Sequence, residues 1–231
     1  MYKHKNVVWD IEGNDLLPGL TNIWVLVARD IDTETDYAFS DQDPSLPDMD
    51  YACEMLYQTE HHIGHNLFGY DFLAMAKVKG WELRDEQKVT DTWILSLLNK
   101  YKRDHNHGLK EWGEKLGSSK IDYHDWSHYN KEMLRYCRQD VNLNVKVYNQ
   151  LYFEASKLIQ RNPMYSDRIK TEMFIARMNM KMQHGWVYDR ELADKTIKEI
   201  TKKMEKVKRK IEPKLGTKRI WIDKAPKTPK Y

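Results

Sequence analysis

Short apolar runs broken by polar punctuation fill the first half of this chain, and longer stretches of helical period fill the second. Residues 6–9 (NVVW) are β-prone and lead to Asp10, which predicts a strand ending there. A loop holding Asn14, Asp15 and Pro18 follows. The run NIWVLVAR at 22–29 predicts a buried strand, and residues 37–40 its hairpin partner across the polar turn 32–36. These three strands are expected to form an antiparallel meander. After a Pro/Asp-rich loop, a helix is expected over 51–59, a fourth strand over 61–66, a helix over 70–79 and a fifth strand over 88–90. Asp91-Thr92 reads as a helix start leading to residue 99. Further helices are expected over 109–116, stopped by Gly117, and over 131–159, broken by Pro163. Two more follow, over 166–183 before Gly185 and over 191–211 before Pro213.

Three early strands followed by αβαβ and then helices predict an α/β fold, a mixed five-stranded sheet flanked by helices with a C-terminal helical extension. The expected division is 1–162 for the sheet domain and 163–231 for the extension, with the boundary near Asn162 and Pro163. No repeats are visible.

Composition adds little beyond a globular class, at 41% hydrophobic and 32% charged residues. No apolar run reaches the ~18 residues a membrane span needs. The N-terminal apolar stretch is too short, and too soon followed by acids, for a secretory signal. A cytoplasmic location is therefore expected, with a monomer as the default state. Cys53 and Cys137 have no metal-ligand spacing and read as buried or half-buried thiols rather than reactive ones. The net charge is +3, yet residues 201–231 hold 12 Lys/Arg against three acids, Glu205, Glu212 and Asp223. Such an end suits a polyanionic partner or a solvated helix face.

Candidate chemistry lies in the acids. Asp10 and Glu12 are two apart on a strand and project from one face. Asp71 follows Asn66 and Tyr70 across a strand-to-helix turn. Tyr136 and Asp140 are four apart on a helix and share its face. Taken singly, each has an ordinary structural explanation: a strand end, a helix N-cap, a half-buried tyrosine beside a surface acid.

In order, D-x-E, N-x3-Y-D and Y-x3-D resemble the signature of the DEDD exonuclease superfamily, tyrosine subclass. The flanking segments DIEGNDLL (10–17), GHNLFGYDFL (64–73), TDTWILSLL (90–98), HGLKEWGEKLG (107–117) and YCRQDV (136–141) resemble the proofreading domain of bacteriophage family A DNA polymerases. The resemblance covers about residues 5–190 and implies an RNase H-like fold. It also implies 3′→5′ exonuclease activity on single-stranded DNA 3′ ends, with two divalent cations, Mg2+ or Mn2+. Asp10, Glu12 and Asp140 would hold one ion, and Asp71, with Asp10 bridging, the other. Tyr136 would orient the attacking water. Asn14, Leu16 and Asn66 would touch the substrate, Leu16 as a wedge between the last bases and Leu17 as the alternative.

Trp112 is read as core rather than a stacking platform, and Lys120 as solvated rather than phosphate-binding. His61, His62 and His65 are read as strand residues, not zinc ligands. The segment 172–189 resembles the helix opening the polymerase half of family A enzymes, so a polymerase domain or subunit is the expected partner. With no polymerase carboxylates in view, these residues are not expected to incorporate nucleotides. The competing readings are an RNase D-like 3′ exoribonuclease and a non-catalytic nucleic-acid- or polymerase-binding module.

Overall fold

The computed structural model describes residues 2–118, 121–183 and 189–214; Lys120 lies outside them. The chain divides into two compact units, Met1–Gln183 and His184–Tyr231.

The first unit is built on a five-stranded sheet in the order β3-β2-β1-β4-β5. Its strands are β1 (His4–Gly13), β2 (Ile23–Asp30), β3 (Thr35–Phe39), β4 (Thr59–Gly64) and β5 (Lys88–Asp91). The first three form the expected antiparallel meander, while β4 and β5 run parallel to β1. The helices are α1 (Met49–Tyr57), α2 (Asp71–Lys79), α3 (Thr92–Asn99), α4 (Leu109–Lys115), α5 (Lys131–Arg161) and α6 (Tyr165–Met182).

Two strand ends differ from the sequence expectation, and both matter for the site. β1 does not stop at Asp10. Its pairing with β2 continues through Asp10–Val27, Ile11–Leu26 and Glu12–Val25 before the register shifts between Glu12 and Gly13. Acids are poor strand formers locally, but pairing with β2 holds them extended, whereas β4 pairs with β1 only as far as Val8. β4 ends at Gly64, so His65 and Asn66 lie in the following turn rather than in the strand. Asn66 has a positive φ of 64°, a left-handed conformation that ends any strand and that asparagine tolerates well.

Alternation along β1 feeds two cores. Val7, Trp9 and Ile11 pack with Phe72, Met75 and Trp81 on one side. Val8 packs with Val25, Val27 and Ile63 against Met133, Leu134, Cys137 and Val141 of α5 on the other. Burial of these apolar side chains stabilises at about 25 cal/mol per Å² removed from water. His62 is wholly buried in the first core, where its Nδ1 accepts the Trp9 indole N–H at 3.2 Å. α6 packs against α3, α5 and β5, and Arg177 donates to the carbonyls of Arg84, Asp85 and Gln87.

The described part of the second unit is α7 (Arg190–Ile211) and a 3-10 turn, Glu212–Lys214. Asp189 caps α7, accepting the N–H of Leu192 at 2.9 Å. None of the described helices is long and apolar enough to cross a membrane.

Candidate active site

Asp10 and Glu12 leave β1 on the face that α5 covers. The buried stripe of α5 there, Met133, Leu134, Cys137 and Val141, follows helical spacing. Tyr136 and Asp140 flank that stripe one turn apart, so the helix that packs the sheet also delivers a phenol and a carboxylate beside β1. Asp140 is 3% exposed and Glu12 9%. Cys137 lies beneath them, its thiol within 3.5 Å of the Asp10 carbonyl and 3.9 Å of Asp10 Oδ2. Burial, with the charges of Asp10, Glu12 and Asp140, pushes this thiol well above its ordinary pKa, so it stays protonated.

The fourth acid arrives from the other side. After β4, the turn at Asn66 and Gly69 reverses the chain into α2, whose first residue is Asp71. The sequence allowed Asp71 to be a helix cap, but the cap position is Tyr70 and it makes no side-chain cap bond. Asp71 is instead 3% exposed, with Oδ1 buried and lacking a hydrogen-bond partner. Burial and then the charge of Asp10 raise its pKa well above the carboxylate range, while the backbone N–H groups of Asp71 and Ile11 pull it down.

Asp10, Glu12, Asp71, Tyr136, Asp140 and Asn66 line one open cavity of about 630 Å³, together with His65, Tyr70, Trp93 and Lys110. These four carboxylates and Glu111 around one hollow repel one another unless cations or protons intervene. All are hard oxygen donors of the kind Mg2+ and Mn2+ select. Donor atoms of Asp10, Glu12 and Cys137 lie within 4.8 Å of one another, and the solitary Asp71 Oδ1 is an oxygen with nothing of the protein to bond. The residues present fit divalent cations.

A second hollow of about 380 Å³ adjoins the first through Glu12 and Tyr70, and Asn14, Leu16 and Trp126 also line it. Leu16 stands 72% exposed at its edge, while Leu17 packs on the core. The side chain of Asn14 turns inward. Its carbonyl oxygen accepts the N–H groups of Thr21 and Asn22 at 3.0 and 2.9 Å, and its amide donates to Thr21 Oγ1. Asn14 therefore closes the base of the loop carrying Leu16, with one amide hydrogen left to offer a ligand. From α2, Tyr70 donates to the Asp15 carbonyl at 2.8 Å, and Lys77 to those of Leu17 and Pro18 at 2.6 and 3.1 Å. Burial and the surrounding carboxylates push the Tyr70 phenol up to about 12, so it remains a donor.

Several lining residues carried no role in the sequence reading: His65, Tyr70 and Trp93. His65 bonds Thr92 Oγ1 through Nδ1 at 2.9 Å. The signal that finds them is positional. His65 and Trp93 lie just past the C-terminal ends of the parallel strands β4 and β5, where open α/β sheets place their ligands. Trp112 is core as expected, 2% exposed, with its indole N–H on Ser96 Oγ at 3.2 Å and the Arg103 guanidinium 4.7 Å from its ring.

No protein-family model matches the sequence, and no curated protein matches it. Solved structures do. Brucella melitensis NrnC with bound Mg2+ superposes with a TM-score of 0.57 at 20% identity, covering 82% of this chain and 92% of that one. NrnC bound to pGG gives 0.58 at 21% identity, covering 82% and 90%. The apo form of a nuclease gives 0.55 at 17% identity, covering 82% and 91%. The shared architecture is the RNase H-like α/β fold, with its mixed five-stranded sheet between helices.

Proposed function

We propose that this chain is a metal-dependent 3′→5′ exonuclease that removes terminal nucleotides from single-stranded DNA as nucleoside 5′-monophosphates. The observation that supports it is the convergence of Asp10, Glu12, Asp71, Asp140 and Tyr136 on one cavity, with a buried Asp71 oxygen left without a protein partner. Chains of the same fold were solved with Mg2+ and with pGG.

Asp10, Glu12 and Asp140 would hold one divalent ion, and Asp71, with Asp10 shared, a second. Ions bound there supply Lewis acidity for the attacking water and for the departing 3′-oxygen. The work of the protein is positional. Tyr136 offers its hydroxyl as a hydrogen-bond partner to the attacking water. Asn66, held left-handed at the cavity wall, presents a carboxamide to the strand. Leu16 stands where it can separate the terminal base from its neighbour. Water oxygen bonds to phosphorus, the bond from phosphorus to the 3′-oxygen breaks, and the 3′-oxygen leaves with a proton. The acceleration rests on orientation and electrostatics.

In this reading residues 1–162 carry the chemistry, residues 163–231 engage a polymerase domain or subunit, and the biological role is proofreading. The test is digestion of a 5′-labelled single-stranded DNA oligonucleotide with Mg2+ or Mn2+, beside EDTA and a matched RNA. A ladder shortening from the 3′ end of DNA, lost in EDTA, is the expected result. Preferential cleavage of the RNA reassigns the substrate to RNA. No cleavage by folded protein with either metal leaves a binding module.

A further inference from the structure

A third hollow, of about 550 Å³, lies between α3 and α6 on the far side of the turn at Asn66. It shares Asn66 and Trp93 with the carboxylate cavity, so the two adjoin. Its wall is aromatic and aliphatic. Trp93 is 41% exposed, Ile175 43% and Tyr101 76%. Its polar groups are mostly carboxamides, those of Asn179 and Gln183 on α6 and Asn66 at the junction.

The charge of the lining separates the possible ligands. Among the described residues no Lys or Arg lines it, and its acids are Asp91 and Glu172. The Asp91 carboxylate is occupied by the N–H groups of Asn66, Phe68, Trp93 and Ile94. Glu172 remains to repel an anion. A phosphate is therefore disfavoured, and a neutral planar ring with hydrogen-bonding edges is favoured. Single-strand sites gain most of their base affinity from aromatic stacking.

We propose that the hollow between α3 and α6 is a nucleobase subsite for the retained strand. It takes the base of one of the two nucleotides preceding the terminal one, between Trp93 and Ile175, with Asn179 and Gln183 at its edge. The inference rests on the exonuclease reading above, because the strand must enter through the carboxylate cavity. It gives the two flanking hollows opposite duties. The one bearing Leu16 receives the nucleotide to be released, and the one bearing Ile175 grips what remains.

The experiment is steady-state cleavage by the full chain of short single-stranded DNAs that differ by one abasic residue, at the terminal, second or third position from the 3′ end. Removing the base at the second or third position should raise KM about tenfold, with kcat within about twofold, as expected for a lost stacking contact. In Ile175→Glu that penalty should vanish, the abasic and intact substrates sharing one KM. Asn179→Ala, which should reduce it, serves as a second variant if Ile175→Glu melts early. Equal KM values for abasic and intact DNA at both positions in the wild type overturn the subsite. Absence of any cleavage in the wild type sinks the exonuclease reading instead. The subsite is then judged by fluorescence polarisation of the same oligonucleotides with Ca2+ present, where equal affinities overturn it.

Discussion

Asp91 Oδ1 accepts the backbone N–H of Asn66 at 3.0 Å. With its other oxygen Asp91 takes the N–H of Phe68 at 3.3 Å, while Oδ1 also caps α3 through Trp93 and Ile94. One carboxylate thus joins the start of α3 to the turn that delivers Asp71. It is 1% exposed, and burial raises its pKa despite the four N–H groups that lower it.

Asp91→Ala strands those donors without an acceptor, and the expected loss is about 3–5 kcal/mol of folding stability. Asp91→Asn should be nearly as severe, because one of its positions then sets a donor against a donor. Urea denaturation measures both. A loss below about 1 kcal/mol for Asp91→Ala, the size of a simple cap, would show that the tie to the turn contributes nothing.

On the proposed exonuclease reading, variants of Asp10, Asp140 and Tyr136 should separate kinetically. Asp10→Ala or Asp140→Ala should reduce hydrolysis to background while circular dichroism and melting remain those of a folded chain. Tyr136→Phe should be milder, a loss of about 10- to 100-fold, since water orientation and not charge is removed. Near-normal turnover in either carboxylate variant contradicts the assignment.

Leu16→Ala tests the exposed edge of the second hollow. Truncating a side chain that is 72% exposed should leave stability within about 0.5 kcal/mol, yet kcat/KM on single-stranded DNA should fall about tenfold. Lys77→Met, which frees the carbonyls of Leu17 and Pro18, should mimic it in part. Unchanged kinetics in both variants remove Leu16 from substrate contact.

Stability should fall on acidification. Burial, together with the neighbouring charges of His61, Arg177 and Arg84, lowers His62 to about 3, and burial with Lys88 lowers His61 to about 4. Both are neutral in the folded protein and protonate near 6.5 once unfolded. Their contribution is therefore complete above pH 6.5 and is lost as pH falls toward 4 and 3. For the wholly buried His62 the slope approaches about 1.4 kcal/mol per pH unit. The raised carboxyls of Asp71 and Asp91 act in the opposite sense and soften the decline. Urea midpoints at pH 7.5, 6 and 5 check this; a level profile means that the imidazoles titrate freely.

What the sequence disclosed was whatever depends on period. Alternation placed Asp10 and Glu12 together, and the i,i+4 rule placed Tyr136 above Asp140. Nearly every element appears within a few residues of its expected place, because each carries its own start and stop chemistry. The missing information was relational. Nothing near Asp91 in the chain says that Asn66 sits against it, and nothing near Trp93 says that Ile175 faces it. The end of β1 was misplaced for the same reason: local propensity penalises acids, whereas pairing with β2 holds Asp10 and Glu12 in the strand.

The register shift between Glu12 and Gly13 has a consequence for how such a protein changes over time. Upstream of it every residue of β1 is committed, either to the sheet or to the carboxylate cavity. Downstream, the loop carrying Leu16 is fastened at its base by Asn14 and along its flank by Tyr70 and Lys77, largely through backbone carbonyls. Carbonyl fastenings are blind to the side chains of the residues they hold. The tip can therefore be rewritten, by selection or by design, to alter which strand ends are accepted without disturbing Glu12, three residues before it. Diversity libraries at Asp15, Leu16 and Pro18, leaving the core-packed Leu17 in place, are the natural place to tune that acceptance.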